Sequence, residues 1–340
     1  MKTYAMRAVN TKRRLLMSAV FIVAAVASGG VPGTASAQPP AQQATQAPGY
    51  FRMMLGKLEV TSLYDGQIAL SPEILQGATA NELQHLLAKR FVPQSESRVQ
   101  TAVNAFLVNT GSNLVLVDAG AAECFGPGMG QIGANIRAAG YEPEQIDTIL
   151  LTHLHGDHAC GIATAQGKPA FPNATVYVSQ DEADYWLDPG VAAQAPAEAQ
   201  PFFKAAQGAV APYVVAEKLK KFKAGDTLVQ GVESVPLPGH TPGHGGYMFS
   251  SAEHRLLVWG DIVHSHAVQF SRPEVSIEFD SDPARAIATR KDILARADAQ
   301  KFWVAGAHLP FPGIGHVGAS EQAYTWIPAE YGPIKAEQTQ

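Results

Sequence analysis

An α/β fold of two packed mixed sheets with helices on their outer faces is what this sequence of 340 residues predicts. Three observations point there. Strand-like and helix-like stretches alternate in two successive sets, many connections are of hairpin length, and the residues able to do chemistry stand where apolar runs stop. The first set holds "KLEVTSLYD" (57–65), "TAVNAFLVNT" (101–110) and "NLVLVDAG" (113–120), the last two joined as a hairpin through Gly111 and Ser112. "IDTILLTH" (146–153) and "ATVYVSQ" (174–180) continue it. Apolar residues at helical spacing mark 81–90, 130–139, 180–187 and the longer 197–218. The second set runs through "VESVPLPG" (232–239), "GGYMFSS" (245–251), "HRLLVWGD" (254–261) and "KFWVAGAH" (301–308), with a helix at about 282–299. There is no repeat of solenoid type.

Composition narrows the class of partner. At 46% hydrophobic residues the chain can bury a substantial core, and its net charge is −5. Beyond the first 14 residues no cluster of Lys and Arg offers a nucleic-acid groove or a polybasic membrane patch. The expected partner is a small-molecule substrate, with no nucleic acid and no stable membrane anchor; a homodimer is left open.

The N-terminus reads as a secretory signal peptide, 1–37. Lys2, Arg7, Lys12, Arg13 and Arg14 precede an apolar run at 15–27, and Ala35-Ser36-Ala37 forms an A-x-A cleavage site before Gln38. The run is shorter than the ~20 residues that span a bilayer. Arg13-Arg14 also permits a twin-arginine route. A flexible leader (38–49) would connect this segment to one folded domain (50–340), and the mature protein would be exported, periplasmic or secreted. The two cysteines, Cys124 and Cys160, make no disulfide framework; they are read as free thiols, although an oxidising compartment would permit one bridge.

The chemistry concentrates in "THLHGDH" (152–158), which spends three of the chain's 11 histidines in seven positions. His153 and His155 stand where an apolar strand gives out, and residues two apart in extended chain share a face, so both imidazoles can turn to one metal ion. Gly156 is expected to turn the backbone sharply, sending Asp157 and His158 towards a second. Further candidates stand at later strand ends: His240 and His244 in "VPLPGHTPGHGGY", Asp261 after "LLVWG", and His308 after "FWVAGA". The spacing permits either His240 or His244 as a ligand.

These motifs, H-x-H-x-D-H, P-G-H-T-P-G-H, the strand-end G-D and the late A-H, together resemble the metallo-β-lactamase superfamily over roughly residues 55 to 315. Within it, "APGYFRMMLGKLEVTSLYDG", "FPNATVYVSQDEADYW", "WGDIVHSHAVQF" and "AHLPFPGIGH" are similar to the methyl parathion hydrolase group. The resemblance implies an αββα sandwich, the metallo-β-lactamase fold. It also implies two divalent metal ions, most simply Zn²⁺: His153, His155 and His240 around one, Asp157, His158 and His308 around the other, and Asp261 bridging, with His244 in a supporting place.

Two such ions ~3.5–4 Å apart can share a water, lower its pKa from ~15.7 towards ~7 and polarise the substrate's oxygen. The expected enzyme is therefore an exported dinuclear metal-dependent hydrolase that uses a metal-bridging hydroxide to cleave an ester, lactone or phosphotriester bond. Asp157 and Asp261 are its catalytic carboxylates, Asp157 orienting the nucleophile or passing a proton. The alternatives are a lactonase degrading acyl-homoserine lactones, a β-lactamase, and a non-catalytic metal-binding protein. Phe125, Trp186, Phe202, Phe203 and Phe270 are aromatic candidates for a substrate pocket, Phe125 and Trp186 on the strength of the resemblance. His264 and His266 follow Asp261 closely; a histidine at 264 could hydrogen-bond substrate or leaving group, and the resembled organophosphate hydrolases carry an apolar residue there.

Overall fold

The structure is a computed structural model, which describes residues 40–320 and 323–334. The expected signal peptide and the first two residues of the leader lie outside the described residues. Residues 40–48 carry no helix or strand, and the first strand opens at Tyr50.

The first sheet holds β1 (Tyr50–Leu55), β2 (Leu58–Leu70), β3 (Arg98–Asn109), β4 (Leu114–Val117), β5 (Thr148–Leu150), β6 (Thr175–Ser179) and β7 (Leu219–Phe222), side by side in that order. β1 to β4 are antiparallel neighbours; from β4 to β7 the pairing is parallel. The second sheet runs β8 (Val232–Pro236), β9 (Gly245–Ser251), β10 (His254–Val258), β11 (Trp303–Ala305), β12 (Ile314–Ser320) and β13 (Ala323–Pro328), antiparallel except where β10 meets β11. The helices are α1 (Ala80–Lys89), α2 (Ile132–Ala138), α3 (Gly156–Ala159), α4 (Gln180–Trp186), α5 (Pro189–Gln194), α6 (Gln200–Val215), α7 (His266–Gln269) and α8 (Pro283–Gln300).

Strand alternation makes the layers. In β4, Val115 and Val117 face Tyr247, Phe249 and Val258 of the other sheet, forming the core between the sheets. Their neighbours Leu114 and Leu116 face the opposite way, onto Ile132 and Ile136 of α2 and a cluster that reaches Phe203 and Val210 of α6. In β10 the same rule sends Leu256 and Val258 inward and Leu257 outward, against Ile293 and Leu294 of α8. Three cores separating four layers give the αββα sandwich. From Gln46 onward the chain forms one compact unit. Among the described residues no helix is long and apolar enough to cross a membrane.

Three details depart from the sequence reading. Cys124 and Cys160 are not free thiols but a disulfide, their Cα atoms 6.4 Å apart, because the loop after β4 folds back onto the turn that follows α3. Gly156 does not turn the chain: it is the first residue of α3, and its missing side chain makes room for Phe125, whose ring lies 3.0 Å from where a Cβ would stand. Phe203 and Phe270 are about 1% exposed; each packs into a core, Phe203 against Trp186 and Phe270 against Trp259 and Trp326, so neither lines a pocket.

Candidate metal centre

Strand ends on one edge of the sandwich deliver the functional side chains. β5 leads into the segment with His153 and His155 and then into α3 with Asp157 and His158. The loop between β8 and β9 carries His240 and His244. Asp261 follows β10, and His308 follows β11. Each departs from a hydrogen-bonded strand, so its position is inherited from the sheets rather than from a mobile loop.

Asp261, 3% exposed, is at the centre. Its Oδ2 lies 3.2 Å from His240 Nε2, 3.2 Å from His308 Nε2 and 3.5 Å from His153 Nε2; its Oδ1 lies 3.1 Å from His158 Nε2. Asp157 Oδ2 stands 3.4 Å from His308 Nε2 and 3.7 Å from His158 Nε2. His155 turns Nδ1 to within 3.0 Å of His240 Nε2. The seven residues expected at a metal site are thus brought together in two adjoining groups, His153, His155, His240 and Asp261, and Asp157, His158 and His308, and a third group, Asp261, His264 and His308, shares one member with each.

The outward nitrogens are held as well. His158 Nδ1 donates to Asp118 Oδ2 at 2.9 Å, His240 Nδ1 to Asp280 Oδ1 at 2.9 Å, and His308 Nδ1 to the Ala102 carbonyl at 2.9 Å. His153 Nδ1 lies 3.1 Å from Thr152 Oγ1, whose hydroxyl donates to Asp118 Oδ2. Fixing one ring nitrogen in this way presents the other, with its lone pair, to a common point. His244 acts differently. Its Nδ1 donates to the Leu237 carbonyl and its Nε2 accepts the backbone N–H of Asp261, so it anchors the carboxylate from behind.

The donor set fits cations. His153 Nε2, His158 Nε2 and Asp261 Oδ1 are buried without a hydrogen-bond partner although they converge, an arrangement costly for polar atoms unless something charged sits among them. Burial pushes His153 and His155 well below the ordinary imidazole value, so both are neutral donors. Burial would lower His240 too, but its bonds to Asp261 and Asp280 push it up to about 9. Without a cation, carboxylates hold protons on histidines; ligation replaces those protons.

Two kinds of wall rise from this floor. On the His155 side stand aromatic rings: Phe202 at 6.1 Å and Trp186 at 5.4 Å from the His155 ring, with Phe125 packed over Gly156. Phe125 and Phe202 are 44% and 38% exposed and form the lip; Trp186 is buried and backs them. On the His308 side a cavity of about 780 Å³ is lined by Tyr64, Gln67, Val99, Gln100, His264 and Phe311, among others. His264 is 6% exposed, places Nε2 3.1 Å from Asp261 Oδ2, stacks on His308 and leaves Nδ1 without a partner. His266 lines the same cavity, farther from the carboxylates.

Sequence reasoning passed over Asp118, Asp280, Glu182 and Arg290. Arg290, 1% exposed on α8, donates through Nε to the Ile262 carbonyl, next to Asp261, and through Nη1 to the carbonyls of Pro273 and Val275. Asp118 had one signal, its place at a strand end beside the other candidates.

A model of the metallo-β-lactamase superfamily matches residues 98–308. The chain belongs to the metallo-β-lactamase superfamily. Among solved superfamily structures, the hydrolase AbOPH is 44% identical and superposes with a TM-score of 0.82, over 85% of this chain and 100% of that one. AidC, a dizinc quorum-quenching lactonase in complex with a product, is 28% identical with a TM-score of 0.77, over 84% of this chain and 99% of that one. A probable metallo-hydrolase of Mycobacterium tuberculosis is 30% identical over 184 residues, and an uncharacterized protein of Bacillus subtilis is 29% identical over 159. The alignments cover 46% and 47% of this chain; the chain spans 56% and 61% of those relatives' length. The candidate metal-ligating residues of this chain thus stand on a fold whose solved neighbours are described as a hydrolase and a dizinc lactonase.

Proposed function

We propose that this chain is an exported dinuclear hydrolase acting on a carbonyl ester, with lactones as its preferred class and phosphotriesters as lesser substrates. The observation that carries the reading is the convergence of two ligand groups on one buried carboxylate, Asp261, at the foot of an open and largely apolar mouth. His153, His155 and His240 would hold one divalent ion, Asp157, His158 and His308 the other, and Asp261 both, with zinc suiting the nitrogen-rich set. When bound, such a pair supplies a water of lowered pKa and a Lewis acid for the substrate's oxygen.

The chain's own residues do the rest. Asp157, at the edge of the site, takes the proton that water gives up as it adds to the acyl carbon; when the C–O bond breaks, Asp157 returns that proton to the departing alcohol oxygen. His264 offers a nitrogen beside Asp261 and orients the substrate's oxygen by a hydrogen bond. Phe125 and Phe202 cover the apolar part of the substrate and exclude water from the floor. Asp280, Asp118 and the Ala102 carbonyl keep three imidazoles aimed so that the floor does not have to reorganise during the reaction.

The lactone preference draws on two facts. The neighbour AidC is described as a lactonase with its product, N-hexanoyl-L-homoserine, and the cavity beside His264 and His308 has room for an acyl chain beyond the scissile bond. An acyl-homoserine lactone is therefore the specific substrate to try. Export is supported by the Cys124–Cys160 bridge, which suits an oxidising compartment.

The test is kcat/KM for a lactone series, an aryl ester and an aryl phosphotriester on one zinc-reconstituted preparation. Lactones or esters should lead by roughly a hundredfold, about 2.7 kcal/mol of transition-state preference. A phosphotriester in front would overturn the carbonyl reading, and tight metal binding with no turnover on any of them would leave a binding protein.

A further inference from the structure

Glu182 is a fully buried carboxylate that takes no part in the proposed hydrolysis. It sits in the first turn of α4, and both oxygens are engaged. Oε1 accepts the backbone N–H of Leu154 at 2.9 Å; Oε2 accepts the Thr241 hydroxyl at 2.7 Å and the backbone N–H of Gly243 at 3.0 Å. Leu154 lies between His153 and His155, and Thr241 follows His240. One side chain therefore ties together the two chain segments that carry the three histidines of one group. Bonds to an ionised acceptor are shorter and stronger than neutral ones, so the tie is stiff.

α4 reinforces it. Ser179 Oγ, which caps the helix, donates to the Gly243 carbonyl at 2.7 Å, and a Cβ on Gly243 would run into the backbone nitrogen of Glu182. One turn on, Trp186 packs its ring against His155. The other group makes no hydrogen bond with Glu182 and is framed by other residues, of which Asp118 also reaches His153 through the Thr152 hydroxyl. α3, which carries Asp157 and His158, is bound to the segment after β4 through Ala119 N–H to the His158 carbonyl at 2.8 Å and through Asp118, while His308 rests on the Ala102 carbonyl.

We infer that Glu182 is a positioning residue for one ion only: it fixes the separation between the 153–155 segment and the His240 loop, and thereby sets the affinity of the ion held by His153, His155 and His240. The inference rests on the dinuclear reading above. Glu182→Gln keeps the shape but turns an amide N–H₂ or a single acceptor towards donors that need a carboxylate, so at least one arm of the tie is lost.

The experiment is a zinc titration of the metal-free full chain against a competing chelator, in two backgrounds that each keep one group intact. In His308→Ala, adding Glu182→Gln should lower zinc affinity by about 10- to 100-fold; in His153→Ala, by less than about threefold. Thr241→Val removes one arm while leaving the carboxylate in place, and should give the same selective loss at smaller size, which keeps the inference testable if Glu182→Gln does not fold. Equal losses in both backgrounds, or no loss in His308→Ala, overturn it. A wild-type chain that takes up fewer than two zinc ions overturns the dinuclear reading instead.

Discussion

The two walls of the site differ in how they are held. The aromatic lip is braced: Phe125 follows Cys124, which is bonded to Cys160 just past α3, and Trp186 backs the rings from α4. The wall opposite is a cavity whose polar amides, Gln67 and Gln100, are exposed and where His264, aimed like His308 at Asp261, has a ring nitrogen with no partner. A braced wall selects by shape, whereas a roomy wall with one unpaired ring nitrogen selects by what can pair with it. Under the proposed function, the difference assigns size discrimination to the lip and oxygen recognition to the far side.

The strongest challenge to that division acts on the floor both walls share. Asp261→Ala should reduce turnover to background on every substrate and lower bound zinc, measured by kcat and metal analysis together; an unchanged rate would remove the basis for either wall's role. Next in size is the brace. Cys124→Ser with Cys160→Ser opens a link across 36 residues, for which chain entropy gives about 4 kcal/mol. Tm should fall, and KM should rise for bulky aryl esters more than for small lactones. A lower Tm with an unchanged KM ratio would show that the bridge stabilises the fold without shaping the lip.

His264→Phe should lower kcat for lactones and esters by about 10- to 100-fold, the worth of a hydrogen bond in a buried site, with zinc content unchanged. A loss of metal instead would make His264 a ligand. The smallest effect is expected from Gln100→Trp, which fills the cavity from an exposed position. KM for long acyl chains should rise about threefold to tenfold, while KM for short ones stays put. Equal effects on both would put the acyl chain elsewhere.

The strands that are unbroken apolar runs, such as "NLVLVDAG" and "HRLLVWGD", were legible in the sequence to within a few residues. "YFRMML" and "IGHVGAS", which form β1 and β12, were not. The first lies against a leader with no apolar pattern, and the second has too few β-branched residues to announce a strand. In the site, His153, Asp261 and His308 were readable because each ends an apolar run, His155, Asp157 and His158 because they follow the first at metal-ligand spacing, and His240 was set above His244 only by the resemblance. Glu182 in "QDEADYW" and Asp280 in "EFDSDP" look like the solvated acids around them, since only tertiary contacts bury the one and spare its neighbours. The disulfide was hidden for a related reason: two cysteines 36 residues apart pair through a fold-back that no local pattern encodes.

The origin of the floor in several separate strand ends has an evolutionary corollary. The exposed parts of the segments between those ends, among them α5, which buries no residue, and the outward face of α1, are free to change sequence while the anchoring strands stay paired. Randomising those exposed positions while holding the strand ends and Glu182 fixed amounts to a search over substrates in which the metal-ligating floor is left in place. Such a scaffold acquires new specificities by insertion and exchange at its rim, and a library drawn there should return many binders of different molecules before it returns a misfolded chain.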